Sequence, residues 1–286
     1  MTPDLALPLQ QHPHFAAALA QMGRPVSFVD VEGAAPVLAV RQFGQLMASR
    51  GPIWHGPSHS AALRRAAFRM INTDAPDDTL MRAAGLRCVM TPAHVAELDL
   101  LATPEARQQA MTPKWRRAWQ AAQSAPLKIS EHAYNAQTHA WILTADLAQQ
   151  RRKGFRGLPF SLIDAYTAVR PSSVRVMVAM EEETPIAAML FLLHLPVATY
   201  HIGWTSARGR AACAHHRMIV IASDLLANRG YRRLDLGMVD TDTTPGLARF
   251  KIGTGAQVRP LGGTWVRLPG GSRWPAPHLS ARPSQP

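Results

Sequence analysis

The sequence contains an internal repeat, and a repeat of this length limits the architectures that the chain can adopt. The run VSFVDVEGAAPVLAV begins at Val26, and the similar run VRVMVAMEEETPIAAML begins 148 residues later at Val174. The segments FRMI at Phe68 and HRMI at His216 are also 148 residues apart, and AGLRCV and RGYRRL are 145 residues apart. Three matches at nearly one spacing predict two copies of a β-rich α/β module.

The most regular part of the second copy alternates strands with a helix. Its first strand is rich in β-branched and aromatic residues and contains Gly203, where a bulge can bend the strand. Its helix has apolar periodicity and closes before Gly230, a residue that can adopt the left-handed cap. In chain order we predict a strand over residues 197–204, a small basic loop over 205–212, a helix over 213–228 and a strand over 232–237.

The start of this helix has the properties of an anion site. The first backbone N–H groups of a helix lack intrahelical partners, and the macrodipole places partial positive charge there. Arg208, Arg210 and Arg217 add full charges nearby. The pattern predicts that a phosphate group binds at this helix start.

Two motifs in the same region resemble a known family. The run LDLGMVDTDTTPGLARFKIGTG and the segment YHIGWTS, with the arginine-rich helix start, resemble the Fem-type (BioF2-like) branch of the GNAT acyltransferase superfamily. The resemblance is good over residues 174–265 and weaker before them. Fem-type proteins consist of two GNAT-like halves, so the resemblance and the repeat agree.

The resemblance implies a fold and a division of the chain. The fold class is α/β (α+β), with tandem duplicated GNAT-like modules in which mixed central sheets are flanked by helices. Residues 1–125 would form a degenerate N-terminal half, and residues 126–268 the catalytic C-terminal half. Residues 269–286 are rich in proline, serine and glycine and predict a disordered tail.

The resemblance also implies a donor site. In GNAT folds two adjacent strands splay apart, and the pantetheine of the donor threads the gap; here those strands would be 197–204 and 233–236. The pyrophosphate loop of the superfamily, Gln/Arg-x-x-Gly-x-Gly/Ala, aligns best with residues 210–215, where Cys213 and His215 replace small residues. The predicted cofactor-binding residues are Gly203, Trp204, Thr205, Arg208, Arg210, Ala211, Ala212, Cys213, Ala214 and His215.

Acyl transfer to an amine requires a group that removes a proton, and carboxylates follow the second strand. We predict Asp240 as this general base. The alternative is that Asp240 and Asp242 fix the turn before Pro245 through side-chain hydrogen bonds, while Asp235 pairs with an arginine. The resemblance implies that Lys251 stabilises charge in the reaction; a structural salt bridge is its alternative.

A basic and aromatic cluster lies near the end of the first half. Trp115 could stack on a substrate while Arg116 holds a carboxylate or phosphate. Trp115 and Trp119 are four residues apart, so they could equally form the buried stripe of a helix. With Asp242 and Phe250, Trp115 and Arg116 complete the predicted substrate-binding residues.

Composition indicates the class of partner. The formal net charge is +12, and it comes mainly from arginine. Such an excess favours phosphate-bearing partners such as coenzyme A or tRNA, although a generally basic surface is the alternative. The sequence contains no run of about 18 apolar residues, so we expect no membrane insertion. The chain also lacks the basic, apolar start of a signal peptide, and its two cysteines are too few for a metal site, so we expect a cytoplasmic protein.

These observations lead to three functional hypotheses. The first is an N-acyltransferase that moves an acyl group, in the simplest case acetyl, from acyl-CoA to a small-molecule or peptide amine in a direct ternary complex, with acetyl-CoA as cosubstrate. The second is a Fem-like peptidyl transferase that uses aminoacyl-tRNA, although the long helical arm of many such proteins has no counterpart here. The third is a catalytically inactive module that binds RNA or a protein partner.

Overall fold

The structure is a computed structural model that describes residues 5–154 and 157–268. The tail predicted over 269–286 lies outside these residues. The strands are β1 (Val26–Val29), β2 (Val37–Gln42), β3 (Gln45–Ser49), β4 (Met70–Asn72), β5 (Arg87–Met90), β6 (His94–Asp99), β7 (Lys128–Ala133), β8 (Val174–Glu181), β9 (Thr184–His194), β10 (Val197–Thr205), β11 (Arg233–Val239), β12 (Gln257–Pro260) and β13 (Thr264–Val266).

Helices cover both sheets that these strands form. The α-helices are α1 (Pro13–Gln21), α2 (Ser60–Arg65), α3 (Asp78–Ala83), α4 (Pro104–Ala110), α5 (Pro113–Gln123), α6 (Ala136–Lys153), α7 (Ser161–Val169), α8 (Ala207–Ala211), α9 (Ala214–Asn228) and α10 (Pro245–Gly253). Short 3₁₀ turns at Leu9–Gln11 and Pro171–Ser173 precede α1 and β8.

The order of the strands confirms the duplication. The first sheet has the order β1-β2-β3-β4-β13-β5, and the second has β12-β6-β11-β10-β9-β8-β7. Read from β8, the second sheet repeats the first, and β7 is an additional edge strand. In each copy two antiparallel pairings are followed by one parallel pairing, β3 with β4 and β10 with β11. Both sheets are therefore mixed, as predicted.

The two sheets exchange one strand. β6 comes from the first part of the chain and pairs with β11 and β12 in the second sheet. β13 comes from the last part and pairs with β4 and β5 in the first sheet. The predicted boundary between residues 125 and 126 stays a prediction, but the sheets are interlocked across it.

Only one of the three sequence matches joins elements that occupy equivalent positions in the two sheets, so the other two matches are wrong. The match between Val26 and Val174 pairs β1 with β8, which occupy equivalent positions. In contrast, Phe68 leads into β4, whereas His216 lies within α9. The helix α9 of the second copy has 15 residues, whereas α2 of the first copy has 6. The elements that follow these helices are therefore no longer separated by the same number of residues. The structural counterpart of β4 is β11.

The second sheet is buried on both faces. In β9 the burial is continuous over residues 186–194, the pattern expected when both faces of a strand are covered. One face packs against α5 and α9, and the other against α1, α6 and α7. This packing holds β10 and β11, which form the site described below, in a rigid frame.

A network of buried charges connects the two sheets. Arg50, which follows β3, contacts Asp74 at 2.5 Å and Asp235 at 3.0 Å. Arg259 of β12 contacts Asp74 and Glu97, both at 2.9 Å. We call Arg50, Asp74, Glu97, Asp235 and Arg259 the inter-sheet ion network. The sequence-based alternative that Asp235 pairs with an arginine is confirmed.

Three histidines surround the junction between α1 and the turn from β9 to β10. The imidazole of His12 lies 5.4 Å from that of His194 and 4.6 Å from that of His14. Burial, followed by the charge of His14, lowers the pKa of His12 to about 4. Burial, together with His12 and Arg233, also holds the pKa of His194 well below its ordinary value. The packed junction therefore requires neutral imidazoles.

We expect this junction to make the protein sensitive to acid. A histidine whose pKa is lower in the folded state than in the unfolded state costs stability once the pH falls below the unfolded value. For His12, with pKa values of 6.5 and about 4, the loss between pH 7.5 and pH 5 is about 2 kcal/mol. His12→Asn retains an acceptor for the N–H of His14 but cannot titrate. Urea unfolding at both pH values should show a smaller pH-dependent loss in this variant.

The control for this experiment is His55→Gln, because His55 is exposed. It should show the same pH-dependent loss as the unmodified protein. An unchanged loss in His12→Asn would contradict the assignment of the acid sensitivity to this junction.

Candidate active site

β10 and β11 pair over three residues and then separate. The parallel pairing joins Val197 to Arg233, Ala198 to Leu234 and Thr199 to Asp235. β10 then continues to Thr205 and β11 to Val239 without further pairing between them. Each strand is also irregular where the two separate. The register of β10 against β9 shifts between Tyr200 and Ile202, and that of β11 against β6 shifts between Asp235 and Met238. The gap predicted between these strands is present.

A cavity of about 600 Å³ occupies the gap. It is bounded by β10 and β11, by α6, by the segment from α8 to α9, and by α10. The predicted residues that line it are Gly203, Thr205, Arg210, Cys213, His215, Phe250 and Lys251. Lining residues that the sequence did not single out include Asp146, Gln149, Gln150, Arg152, Tyr200, His201, His216 and Gly237.

Lys251 provides a buried amine at this cavity. Its residue is only 6% exposed, and its Nζ donates a hydrogen bond to the carbonyl oxygen of Met238 at 2.7 Å. Burial lowers the pKa of Lys251 to about 8, although the negative charge of Asp235 acts in the opposite direction. The amine is therefore close to its titration point near neutral pH, which is unusual for lysine.

Tyr200 and Asp146 face the same cavity and were missed in the sequence. The Tyr200 hydroxyl lies so close to Gly203 that a Cβ on that residue would be 1.7 Å away. Burial, followed by the charge of Asp146, raises the pKa of Tyr200. Asp146 is buried and accepts a hydrogen bond from Gln150 at 2.6 Å. The sequence did contain a signal, because Asp146 is four residues after Ile142, a spacing that places both residues on one face of a helix.

Cys213 and His215 occupy the positions where the resemblance implies small residues. Cys213 has φ of +50°, in the left-handed region that favours glycine. The Nε2 atom of His215 lies 2.8 Å from the carbonyl oxygen of Trp204. Burial lowers the pKa of His215 to about 4, so its ring is neutral and connects α9 to the end of β10.

The arginines expected at the anion site have different environments. Arg208 forms a two-point ion pair with Glu181, and Arg217 donates to the carbonyl of Ala125 at 3.2 Å. Arg210 lines the cavity and donates to the carbonyl of Thr205 at 2.9 Å. Within the loop predicted over 205–212, residues 207–211 form α8, so that part of the prediction is wrong.

Asp240 and Asp242 lie in an exposed turn outside the residues that line the cavity. Asp240 accepts hydrogen bonds from the backbone N–H groups of Asp242 and Thr243, both at 2.9 Å, and from the Thr243 hydroxyl. The Thr243 contacts, with the N–H of Asp242, lower the pKa of Asp240. These are the contacts of the turn-fixing alternative, and they give no support to Asp240 as the general base.

Of the predicted substrate-binding residues, Phe250 lines the cavity, whereas Trp115 and Arg116 are not among its lining residues. Trp115 is 4% exposed and packs against Gly253, where an added Cβ would come within 2.4 Å of the indole. Arg116 donates to the carbonyls of Gln109 and Met111, beside the end of α4. Phe250 lines the cavity with its ring 5.4 Å from that of His216. The contacts of Trp115 are those of the packing alternative.

Two features are absent from the part of the chain that the structure describes. Over residues 5–154 and 157–268, no group of three or more histidine, cysteine, aspartate or glutamate side chains is arranged to hold a metal ion. In that same part of the chain, no helix combines the length and apolar character needed to span a bilayer.

Comparison with known proteins identifies the fold. No protein-family model and no curated protein sequence matches the chain. Among solved structures, FemX has a TM-score of 0.67 at 12% identity, with 90% of this chain and 93% of FemX covered. A domain assigned as the C-terminal part of a lysylphosphatidylglycerol synthetase from Agrobacterium fabrum has a TM-score of 0.58 at 17% identity, with 91% and 89% covered.

A third structure, of L-PGS from Bacillus licheniformis, has a TM-score of 0.55 at 13% identity and covers 91% of this chain and 93% of its own. At these identities the similarity concerns the fold. The chain has the same fold as these structures, and its two sheets repeat one strand order, in agreement with the Fem-type resemblance of its motifs.

The packing of α8 against β9 allows a direct test of the cavity wall. A Cβ on Gly209 would lie 2.2 Å from the backbone oxygen of Ile186, and backbone cannot move aside cheaply. We expect Gly209→Ala to destabilise the protein by about 1–3 kcal/mol in urea unfolding. Gly246→Ala is the control, because Gly246 lines the same cavity with no atom within 4 Å of an added Cβ. Equal stability of the two variants would contradict the observed packing.

Proposed function

We propose that this protein is an acyltransferase that moves an acyl or aminoacyl group from a phosphate-bearing carrier to an amine in the gap between β10 and β11. One observation carries the proposal: the two strands separate after Thr199 and Asp235 around a cavity that contains the buried amine of Lys251. A closed parallel pair would have no space for a reacting carbonyl. The Fem-type fold supports the same class of reaction.

The residues of the cavity can supply each step of the transfer. The acceptor nitrogen attacks the carbonyl carbon, and the bond from that carbon to the sulfur or oxygen of the carrier breaks. Charged Lys251 stabilises the negative charge that develops on the carbonyl oxygen. Tyr200, whose pKa is raised by burial, remains protonated and can donate to the leaving atom. The carboxylate of Asp146 replaces Asp240 as our candidate for accepting the proton of the amine.

Acyl-CoA is the first candidate carrier. The gap between the strands, the N-terminus of the 15-residue helix α9 and Arg210 at the cavity support it. A long thioester arm could lie between β10 and β11 with its phosphates near α9. Acetyl-CoA is the simplest compound of this class to test.

Aminoacyl-tRNA is the second candidate carrier, and the conformation of residues 207–211 favours it. These residues form α8, and Gly209 and Arg210 already donate their backbone N–H groups to Ser206. Part of the expected pyrophosphate loop is therefore unavailable to a phosphate. The name of the Agrobacterium fabrum protein denotes a synthetase that produces a lysyl derivative of a lipid, and the net charge of +12 suits a polyanion.

Protection of Cys213 distinguishes the two carriers. Cys213 lines the cavity, whereas Cys88 is exposed elsewhere. In a Cys88→Ser background we expect acyl-CoA, if it is the donor, to slow maleimide labelling of Cys213 at least about tenfold at saturation, and Arg210→Ala to weaken that protection. Protection by aminoacyl-tRNA alone would select the second carrier. Labelling unaffected by either class would contradict a carrier site in this cavity.

Substitution of Lys251 tests the chemistry. We expect Lys251→Gln to lower turnover about 100-fold with whichever donor protects Cys213, because the developing charge loses its donor. The matched control is Lys128→Gln, an exposed lysine on β7, which should retain full turnover. Binding of a carrier without turnover of any amine would instead support the inactive binding module.

A further inference from the structure

The bend in β11 has an identifiable cause. The Oδ1 atom of Asp235 accepts a hydrogen bond from the backbone N–H of Gly237 at 2.7 Å. An N–H that is bound to a carboxylate is unavailable to a neighbouring strand. Gly237 has φ of +78°, in the left-handed region, so the chain turns at this residue. Pairing with β10 ends at the same Asp235.

The bend determines where the amine of Lys251 lies. Met238 follows Gly237 directly, and its carbonyl oxygen accepts the hydrogen bond from Nζ at 2.7 Å. A Cβ on Gly237 would lie 3.6 Å from that Nζ, so the amine packs against the bend itself. Because Lys251 is buried, its amine depends on the Met238 carbonyl for a partner. A straight β11 would carry this carbonyl elsewhere.

Arg50 holds Asp235 from the other half of the fold. Its Nη1 atom lies 3.0 Å from Oδ2 of Asp235, the oxygen that the Gly237 contact does not use. Its Nε atom lies 2.5 Å from Oδ1 of Asp74, which fixes the guanidinium at its other end. Arg50 is 8% exposed and has φ of +57°. A non-glycine residue persists in that conformation when its surroundings impose it.

We propose that Arg50 and Asp235 are positioning residues for Lys251: together they maintain the bend in β11 that opens the gap and presents the Met238 carbonyl to the lysine amine. The first half, which contributes little to the cavity lining, would thereby control the geometry of the site in the second half. A role of this arrangement in catalysis rests on the acyl transfer proposed above. The positioning of Lys251 itself can be tested without a substrate.

The alternative role for Asp235 is a simple ion pair that affects Lys251 through charge alone. Asp235→Asn and Asp235→Ala separate the two roles. Asparagine removes the charge but keeps an oxygen that can accept the Gly237 N–H, whereas alanine removes both. The other charged or titratable groups among the described residues that line the cavity with Lys251 are Asp146 and Arg152 on α6, Tyr200 and His201 on β10, Arg210 on α8, Cys213, and His215 and His216 on α9. They are unchanged in both variants.

The measurement is the pH dependence of lysine acylation in the full chain, followed by peptide mass spectrometry. The chain has four lysines, and Lys114 and Lys128 serve as internal references for exposed amines. In the unmodified protein we expect Lys251 to titrate at about 8. In Asp235→Asn its pKa should fall by about one unit, because the bend remains and the favourable charge is lost. In Asp235→Ala its pKa should rise towards the ordinary value of lysine, because the released amine reaches water.

Opposite shifts in the two Asp235 variants would support the proposal, and Arg50→Met should raise the pKa of Lys251 by less than Asp235→Ala does, because the contact between Asp235 and the Gly237 N–H remains. A fall of similar size in both Asp235 variants would overturn it in favour of charge alone. Asp224→Asn is the matched control, because Asp224 also pairs with a buried arginine, Arg107, but lies outside the cavity lining. Thermal unfolding identifies any variant that fails to fold, and Arg50→Lys then provides the milder change.

This experiment separates the two proposals. Opposite shifts combined with an absence of turnover for every donor would retain the positioning role and remove the acyl transfer. Normal turnover with identical Lys251 titration in all variants would retain the transfer and remove the positioning role.

Discussion

The contact between Arg50 and Asp235 is the interaction on which the arrangement of the two halves depends. Burying charges is costly unless each has compensating partners, and the inter-sheet ion network supplies them from both sheets and from the exchanged strand β6. Removing one member would leave its partners buried and uncompensated. The network therefore fixes the relative position of the sheets, and through Asp235 it reaches the point where β10 and β11 separate.

The sequence predicted those features that depend on local pattern. The strands and the helix of residues 197–237 follow from periodicity, and the motif resemblance led to the gap and to Lys251. Asp146 and Asp240 show the limit of such reasoning. Proximity along the chain favoured Asp240, whose hydrogen bonds are satisfied within its own turn, whereas Asp146 reaches the cavity through the packing of α6 against β10. Arg50 meets Asp235 across 185 positions of sequence, which no local pattern reveals.

Residues 205–215 depart from the pyrophosphate-loop pattern that the resemblance implies. Cys213 has a left-handed backbone, which favours glycine, and the His215 ring contacts the carbonyl of Trp204 at the end of β10. Arg208 is paired with Glu181. Some of the residues that were predicted to bind phosphate are thus used in contacts within the protein. The predicted pyrophosphate loop is for this reason the feature on which the sequence pattern and the structure differ most.

The exchange of β6 and β13 has a consequence for biosynthesis. β13 inserts between β4 and β5, and it is the last strand of the described chain. A growing polypeptide that has left the ribosome as far as β5 cannot complete its first sheet, because β13, the strand between β4 and β5, has yet to be translated. The edges of β4 and β5 that pair with β13 therefore stay open until residues 264–266 have emerged.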